Sequence, residues 1–307
     1  MQKIVPHLWF DQNIRDAADF YASVFPHADT VNGFSNPETG EEITAEVNID
    51  GYRIALINGG PYATPNPSIS FFLNFDPAQR SDAEGDLKRV WNDLTADGEV
   101  LMELGKYPFS KLYGWVTDRF GFSWQLMLTN PDNAPRPFIV PSLMFCGAAQ
   151  GKATEAVDFY TELFDDAAVG NRVTYGAMGA APDKNSPDAI PQLSDVAFSD
   201  FQLADQWFAA MDSGVAQPFS FTPGVSLMLM VQDQAELDRY WDALSANPEA
   251  EQCGWLEDKY GLSWQIAPLN LPDLLSRPQG FENMLKMKKS SLMSSNFGAS
   301  PLTRRRQ

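Results

Sequence analysis

Apolar positions along the chain alternate between a period of two and a period of about 3.6, and the switches mark out a repeated unit. Residues 4–10 (IVPHLWF) read as a strand that turns Leu8 and Phe10 towards a helix and His7 and Trp9 away from it. Residues 13–25 place Ile14, Ala17, Ala18, Tyr21 and Val24/Phe25 on one stripe ahead of Pro26, which predicts an amphipathic helix. Strands are predicted at 30–34, 43–49 and 52–57, the last two joined by a tight turn at Asp50-Gly51. After a Gly/Pro/Asn-rich loop at 58–67 the cycle restarts with a strand at 69–75. A helix at 86–96 follows, carrying Leu87, Val90, Trp91 and Leu94, and then strands at 100–104, 114–117 and 123–128. The predicted order is β-α-β-β-β, twice.

The second half of the chain repeats the first. Residues 114–128 (GWVTDRFGFSWQLML) and 254–268 (GWLEDKYGLSWQIAP) share seven of fifteen positions, at a spacing of 140 residues. The opening strand recurs as IVPSLMF at 139–145, with Ser142 for His7 and Met144 for Trp9. Ala156-Val-Asp-Phe-Tyr160 matches Ala17-Ala-Asp-Phe-Tyr21, and Leu237 to Leu244 with Trp241 matches Leu87 to Leu94 with Trp91. A spacing this long signals a duplicated domain rather than a solenoid. The expected organisation is a first domain at 1–130, a Pro-rich linker at 131–137, a second domain at 138–275, and a basic, Ser-rich tail at 276–307 with a short helix at best and disorder after it. The second half also carries a polar insertion at about 176–195.

Composition narrows the function classes. The 307 residues carry a net charge of −18, which argues against a general nucleic-acid binder. The imbalance is steeper in the body, because residues 276–307 hold seven Lys/Arg against one Glu. No apolar run reaches the ~20 residues of a membrane span, and no signal-peptide pattern opens the chain. Two cysteines, Cys146 and Cys253, make no disulfide framework and suggest a reducing compartment. The expectation is a cytoplasmic protein with no nucleic-acid or membrane partner.

The paired units, the early Phe-Tyr helix and the closing Gly-x-x-Trp-Gln strand resemble the vicinal oxygen chelate superfamily, the fold of glyoxalase I, bleomycin-resistance proteins and extradiol dioxygenases. Asn58-Gly-Gly-Pro61, Gln252-Cys-Gly-Trp-Leu256 and the two Ser-Trp-Gln motifs resemble its PhnB-like branch, labelled 3-demethylubiquinone-9 3-methyltransferase. The resemblance covers 4–129 and 139–268. It implies an α+β fold of two tandem glyoxalase-like domains, each of paired β-α-β-β-β units with a curved mixed sheet around a cavity. It also implies an intramolecular pseudo-dimer of the two halves, with homo-oligomers as a further option.

The classical enzymes of that superfamily hold a divalent metal with His and Glu from the first, fourth, fifth and eighth strands. Carried over position by position, the first strand offers His7, or Pro6 if the alignment slides by one. The fifth offers Ser68 or Ser70, and the eighth offers Gln125. For the fourth the nearest polar group is Asn58, and the second half supplies Ser142, Ser226 and Gln265. A set of one His with hydroxyls and amides lacks the charge a divalent ion needs, so no metal or other cofactor is implied. The methyltransferase label fares no better, because the first strand leads into Asp11-Gln-Asn-Ile-Arg15 without the Gly-rich turn of the doubly wound class.

The candidate ligand-binding lining is His7, Trp9, Asn58, Ser70, Trp115 and Gln125 from the first half, with Ser142, Met144, Ser226, Trp255 and Gln265 from the second. Aromatic walls with few polar groups suit a small, flat, partly apolar ligand. His7 is the one candidate catalytic residue, as a general base, against a plainer role as a wall residue. Cys253 has no histidine in its half to activate it, and Asp118 and Asp258 read as turn-fixing residues. Metal-independent small-molecule binding is therefore the leading expectation. The alternatives are lyase, isomerase or dioxygenase chemistry with a metal at His7 and Gln125, and a structural role.

Overall fold

The computed structural model of the protein describes residues 2–179 and 190–289. The first unit is β1 (Ile4–Phe10), α1 (Ile14–Val24), β2 (Ala28–Asn32), β3 (Thr44–Ile49) and β4 (Tyr52–Asn58). The second is β5 (Ile69–Phe75), α2 (Ala83–Thr95), β6 (Glu99–Tyr107), β7 (Ser110–Thr117) and β8 (Ser123–Leu128). The third is β9 (Ile139–Phe145), α3 (Ala153–Leu163), β10 (Ala167–Thr174), β11 (Val196–Leu203) and β12 (Gln206–Asp212). The fourth is shorter: β13 (Val225–Val231), α4 (Gln234–Leu244), β14 (Trp255–Glu257) and β15 (Ser263–Pro268). Two short helices, α5 (Leu271–Leu275) and α6 (Gly280–Leu285), close the described chain.

These elements make an α+β fold whose two mixed sheets run across the sequence repeat. The seven-stranded sheet has the order β14-β15-β13-β1-β4-β3-β2, and the eight-stranded sheet β10-β11-β12-β9-β5-β8-β7-β6. The two halves therefore join edge to edge. β1 pairs antiparallel with β13, His7 opposite Ser226, and β5 pairs antiparallel with β9, Ser70 opposite Ser142. Each joint closes a strand edge that would otherwise expose unpaired N–H and C=O groups. The tandem halves form the expected pseudo-dimer, and each sheet takes one unit from each half.

The helices pack on one face of each sheet, where Leu8, Phe10, Phe71, Trp124, Leu143 and Trp264 join a single continuous core. Within each half this core links the two sheets. Phe10 of β1 meets Phe122 of the β7–β8 turn at 5.0 Å, and Phe145 of β9 meets Tyr260 of the β14–β15 turn at 6.0 Å.

At the centre of each half lies a buried aspartate. Asp118 Oδ1 accepts from the backbone N–H of Phe120 and Phe122, at 2.8 and 3.0 Å, fixing the turn as its position suggests. Its Oδ2 accepts from Trp124 Nε1 and from the Tyr21 hydroxyl of α1, both at 2.8 Å. Asp258 repeats the pattern with Tyr260, Leu262, Trp264 and Tyr160 of α3. The turn also needs Gly121 and Gly261, whose φ values of +90° and +86° are left-handed. The Phe-Tyr and Ser-Trp-Gln motifs thus belong to one hydrogen-bonded centre.

The fourth unit departs from the predicted order, because α4 is followed by two strands rather than three. Between α4 and β14 the chain runs through Asn247-Pro248, and β14 pairs with β15 as the edge strand of its sheet. The C-terminal segment occupies this side instead of trailing free from residue 276. Met287 and Lys288 carbonyls accept from the N–H groups of Cys253 and Gly254, and Phe281 lies 5.4 Å from Phe34. Leu274 and Leu275 are buried. A six-residue helix is too short for its period to register in sequence. Residues 290–307, including Arg304-Arg305-Arg306, and 180–189 of the polar insertion lie outside the described residues.

Asp118→Ala leaves four donors, three of them buried, without their acceptor. It is expected to destabilise the fold by about 3 kcal/mol or more, measured by urea unfolding. Tyr21→Phe, which removes one of the four bonds, is expected to cost about 1.5–3 kcal/mol.

Candidate functional site

The helix-free faces of the two sheets are pseudo-symmetric, and they differ in what covers them. On the eight-stranded sheet the face opens into a cavity of about 1060 Å³. Phe72, Met102, Met127, Met144, Phe198 and Met211 form much of its wall. Its floor is polar and fully buried. Gln125 Nε2 donates to Ser70 Oγ at 2.8 Å, and the Tyr113 hydroxyl donates to Gln125 Oε1 at 2.5 Å. Trp115 Nε1 donates to Ser123 Oγ at 2.6 Å. Ser142, directly opposite Ser70 across the β5–β9 joint, has no partner for its hydroxyl among the described residues. Burial pushes the Tyr113 phenol pKa upward, so it stays a neutral donor.

On the seven-stranded sheet the equivalent face is packed. Leu271 of α5 lies against Val5, Ala55, Met228 and Ala267. Gln265 Nε2 donates to Ser226 Oγ at 3.0 Å, matching the Gln125–Ser70 bond. Cys253, the counterpart of Tyr113, makes no equivalent contact to Gln265 and instead sits at a positive φ of 55°. Trp9 and Trp255 meet edge to face at 5.5 Å. Trp9 Nε1 also donates to the Gly60 carbonyl at 2.7 Å, and its indole lies so close to Gly59 that a Cβ there would come within 2.2 Å. The Asn-Gly-Gly-Pro motif is therefore the seat of the Trp9 ring.

His7 is buried, and neither ring nitrogen has a hydrogen-bond partner among the described residues. Burial, with the nearby Arg53 guanidinium adding to it, holds the imidazole pKa down at about 3. At neutral pH the ring is uncharged and too weakly basic for efficient proton abstraction. Arg53 itself is fixed by two hydrogen bonds to Glu46, at 3.0 and 2.8 Å.

The site residues anticipated from sequence thus fall into two groups that cross the repeat. Ser70, Trp115, Gln125, Ser142 and Met144 share the face of the eight-stranded sheet, and His7, Trp9, Ser226, Trp255 and Gln265 that of the seven-stranded sheet. A single centre containing both His7 and Gln125 does not exist, because β1 and β8 belong to different sheets. Asn58 joins neither group. It follows Ile54 and Leu56 on the helix side of β4, and its Nδ2 donates to the Glu42 carbonyl at 2.9 Å. Trp124 and Trp264 are buried on the helix side, as the alternation beside Gln125 and Gln265 indicates.

Other cavity residues escape sequence reading. Phe72 sits between Phe71 and Leu73 in a strand that is apolar on both faces, so period two cannot separate its sides. Tyr113 and Met127 were within reach, being two positions from Trp115 and Gln125 on the same strand faces. Phe198 and Met211 lie on strands whose limits the sequence pattern does not mark.

The metal positions of the classical fold can now be tested against the donors present. Beside Gln125 stand Ser70 and Ser142; beside His7 stand Ala55, Ser226 and Gln265. Neither face presents a carboxylate at these positions. Among the described residues no group of three or more His, Cys, Asp and Glu side chains converges. These residues do not fit a divalent ion. No described helix is long and apolar enough to cross a membrane.

His7 gives the stability a signed pH dependence. The unfolded chain binds a proton near pH 6.5 that the folded ring rejects until about pH 3. Its contribution is present above pH 6.5 and is lost as pH falls, at up to about 1.4 kcal/mol per pH unit. Asp118 and Asp258, whose carboxyls burial pushes upward, act with the opposite sign. Urea unfolding of wild type against His7→Met between pH 7 and 4.5 isolates the histidine, and the variant is expected to lose less stability on acidification.

Comparison with known proteins fits this geometry. Among proteins of curated function, none matches the chain. Among solved structures, PhnB from Bacillus cereus, described as a 3-demethylubiquinone-9 3-methyltransferase, is 32% identical, with a TM-score of 0.37. The match covers 42% of this chain and all of that one (100%). Glyoxalase I from Zea mays is 11% identical with a TM-score of 0.53, over 89% of this chain and 93% of that one, a likeness of fold. The sequence profile of the 3-demethylubiquinone-9 3-methyltransferase family matches twice, at residues 2–127 and 137–267. The chain belongs to that PhnB-like family, as a tandem pair.

Proposed function

We propose that the protein binds a small, flat, largely apolar molecule in the cleft of the eight-stranded sheet, without a metal. The observation that carries this reading is the contrast between the two faces. One is packed by Leu271, while its counterpart holds a cavity of about 1060 Å³. That volume suits a drug-sized ligand. Methionines in the wall let the cleft repack around different shapes, and aromatic rings beside them favour stacking. Gln125 is held at both ends by Ser70 and Tyr113, which makes it a positioned polar group rather than a free one.

The glyoxalase and dioxygenase reading would place a metal between His7 and Gln125, and these stand on different sheets. The methyl transfer in the family's description draws no support from the site. The cleft offers no Gly-rich turn after a parallel strand, and Gln125, Ser70 and Tyr113 on its floor are neutral and bonded to one another.

Titration with the uncharged fluorophore N-phenyl-1-naphthylamine tests the reading. Binding with one site per chain is expected, with the same affinity before and after EDTA treatment. Met144→Trp, which fills the cleft, is expected to weaken it about tenfold or more. Absence of binding, or its loss on chelation, would overturn the proposal.

A further inference from the structure

Building on the cleft as the binding site, we infer that its ligand carries an anionic oxyacid group at the end of an aromatic body, and that Lys106 and Lys111 receive that group at the cleft mouth. Ion pairing in this acidic chain is nearly complete. Among the described residues every arginine but Arg277, and every lysine but Lys106, Lys111 and Lys286, has a carboxylate partner. Two of these four exceptions line the same cleft.

Their placement puts two like charges at the tip of one hairpin. Tyr107 and Ser110 are paired at the tip of the β6–β7 hairpin, and Lys106 and Lys111 follow one step further along the facing strands. Like charges at neighbouring cross-strand positions repel. With a net charge of −18 the chain has carboxylates to spare, yet among the described residues none pairs with these two ammonium groups. The acids elsewhere in the cleft wall are engaged: Asp200 with Arg136 at 2.7 Å, and Asp76 with the Ala78 N–H at 2.8 Å and Gln79 Nε2 at 2.7 Å. An anion between Lys106 and Lys111 would relieve the repulsion and gain charge-assisted hydrogen bonds.

The same hairpin supplies the surface for an aromatic body. Tyr107 and Phe109 stack at 5.7 Å and 23°, and Phe109 meets Tyr113 edge to face at 5.0 Å. Phe109 is 55% exposed at the mouth, which leaves part of its ring open to a ligand. From there Tyr113 leads to Gln125 on the cleft floor. The cleft therefore grades from two cations, through stacked rings, to a neutral polar floor. That order matches an aromatic acid entering ring first.

Two probes with the same ring system separate this inference from the reading it rests on. 8-Anilino-1-naphthalenesulfonate carries a sulfonate that N-phenyl-1-naphthylamine lacks. With the full-length protein at low salt, the anionic probe is expected to bind about tenfold more tightly than the neutral one. That preference is expected to shrink in 0.5 M salt and to vanish in Lys106→Gln/Lys111→Gln, where both probes reach the same affinity. Lys286→Gln, an unpaired lysine away from the cleft, is expected to keep the preference in full. Equal affinities in the wild type, or a preference that survives the double substitution, would overturn the inference and leave the cleft reading standing. Binding of neither probe would overturn both.

Discussion

Asp118 and Asp258 each gather donors from a turn, a strand and a helix, and the two-sheet architecture depends on that convergence. In each half the helix carrying the tyrosine packs on one sheet, and the turn carrying the aspartate belongs to the other. A carboxylate that accepts four hydrogen bonds in a low-dielectric core is held far more strongly than a surface pair, and its loss strands every donor at once. The bond from Tyr21 to Asp118 therefore ties the first unit to the second, and Tyr160 to Asp258 ties the third to the fourth. With each half locked in this way, its opening strands β1 and β5, or β9 and β13, are presented as parallel-sided edges. The β1–β13 and β5–β9 joints then complete the sheets.

The elements of this scaffold were legible in sequence for a physical reason. Tyr21, Asp118, Trp124 and their repeats at Tyr160, Asp258 and Trp264 must recur because the same hydrogen bonds recur, so the motif exposes the duplication. The pairing of the halves was less visible. Ser70 and Ser142 face each other across a joint between strands whose sequence is apolar on both sides, and such strands carry little register information. Grouping His7 with Gln125 followed from assigning one cavity to each half. The structure divides them because each sheet draws its strands from both halves. Cleft residues such as Phe198 and Met211 were hidden for a related reason. Their strands begin beyond a polar insertion, where alternation alone does not mark the ends.

The asymmetry between the faces arises from small local changes on this symmetric frame. On one side Tyr113 spans from the hairpin to Gln125, and a full third strand, β6, extends the cleft wall out to Phe109. On the other side Cys253 stands where Tyr113 would, and the chain between α4 and β14 makes no strand. The strand edge left bare is a liability, since its N–H groups need acceptors. Met287 and Lys288 supply them, and the segment that brings them there lays Leu271 over Val5, Ala55, Met228 and Ala267. Covering the edge and filling the face are thus parts of one event. His7, left neutral beneath that cover, is the residue most like a classical site and the one least able to act as one. The open cleft is on the face that keeps its third strand.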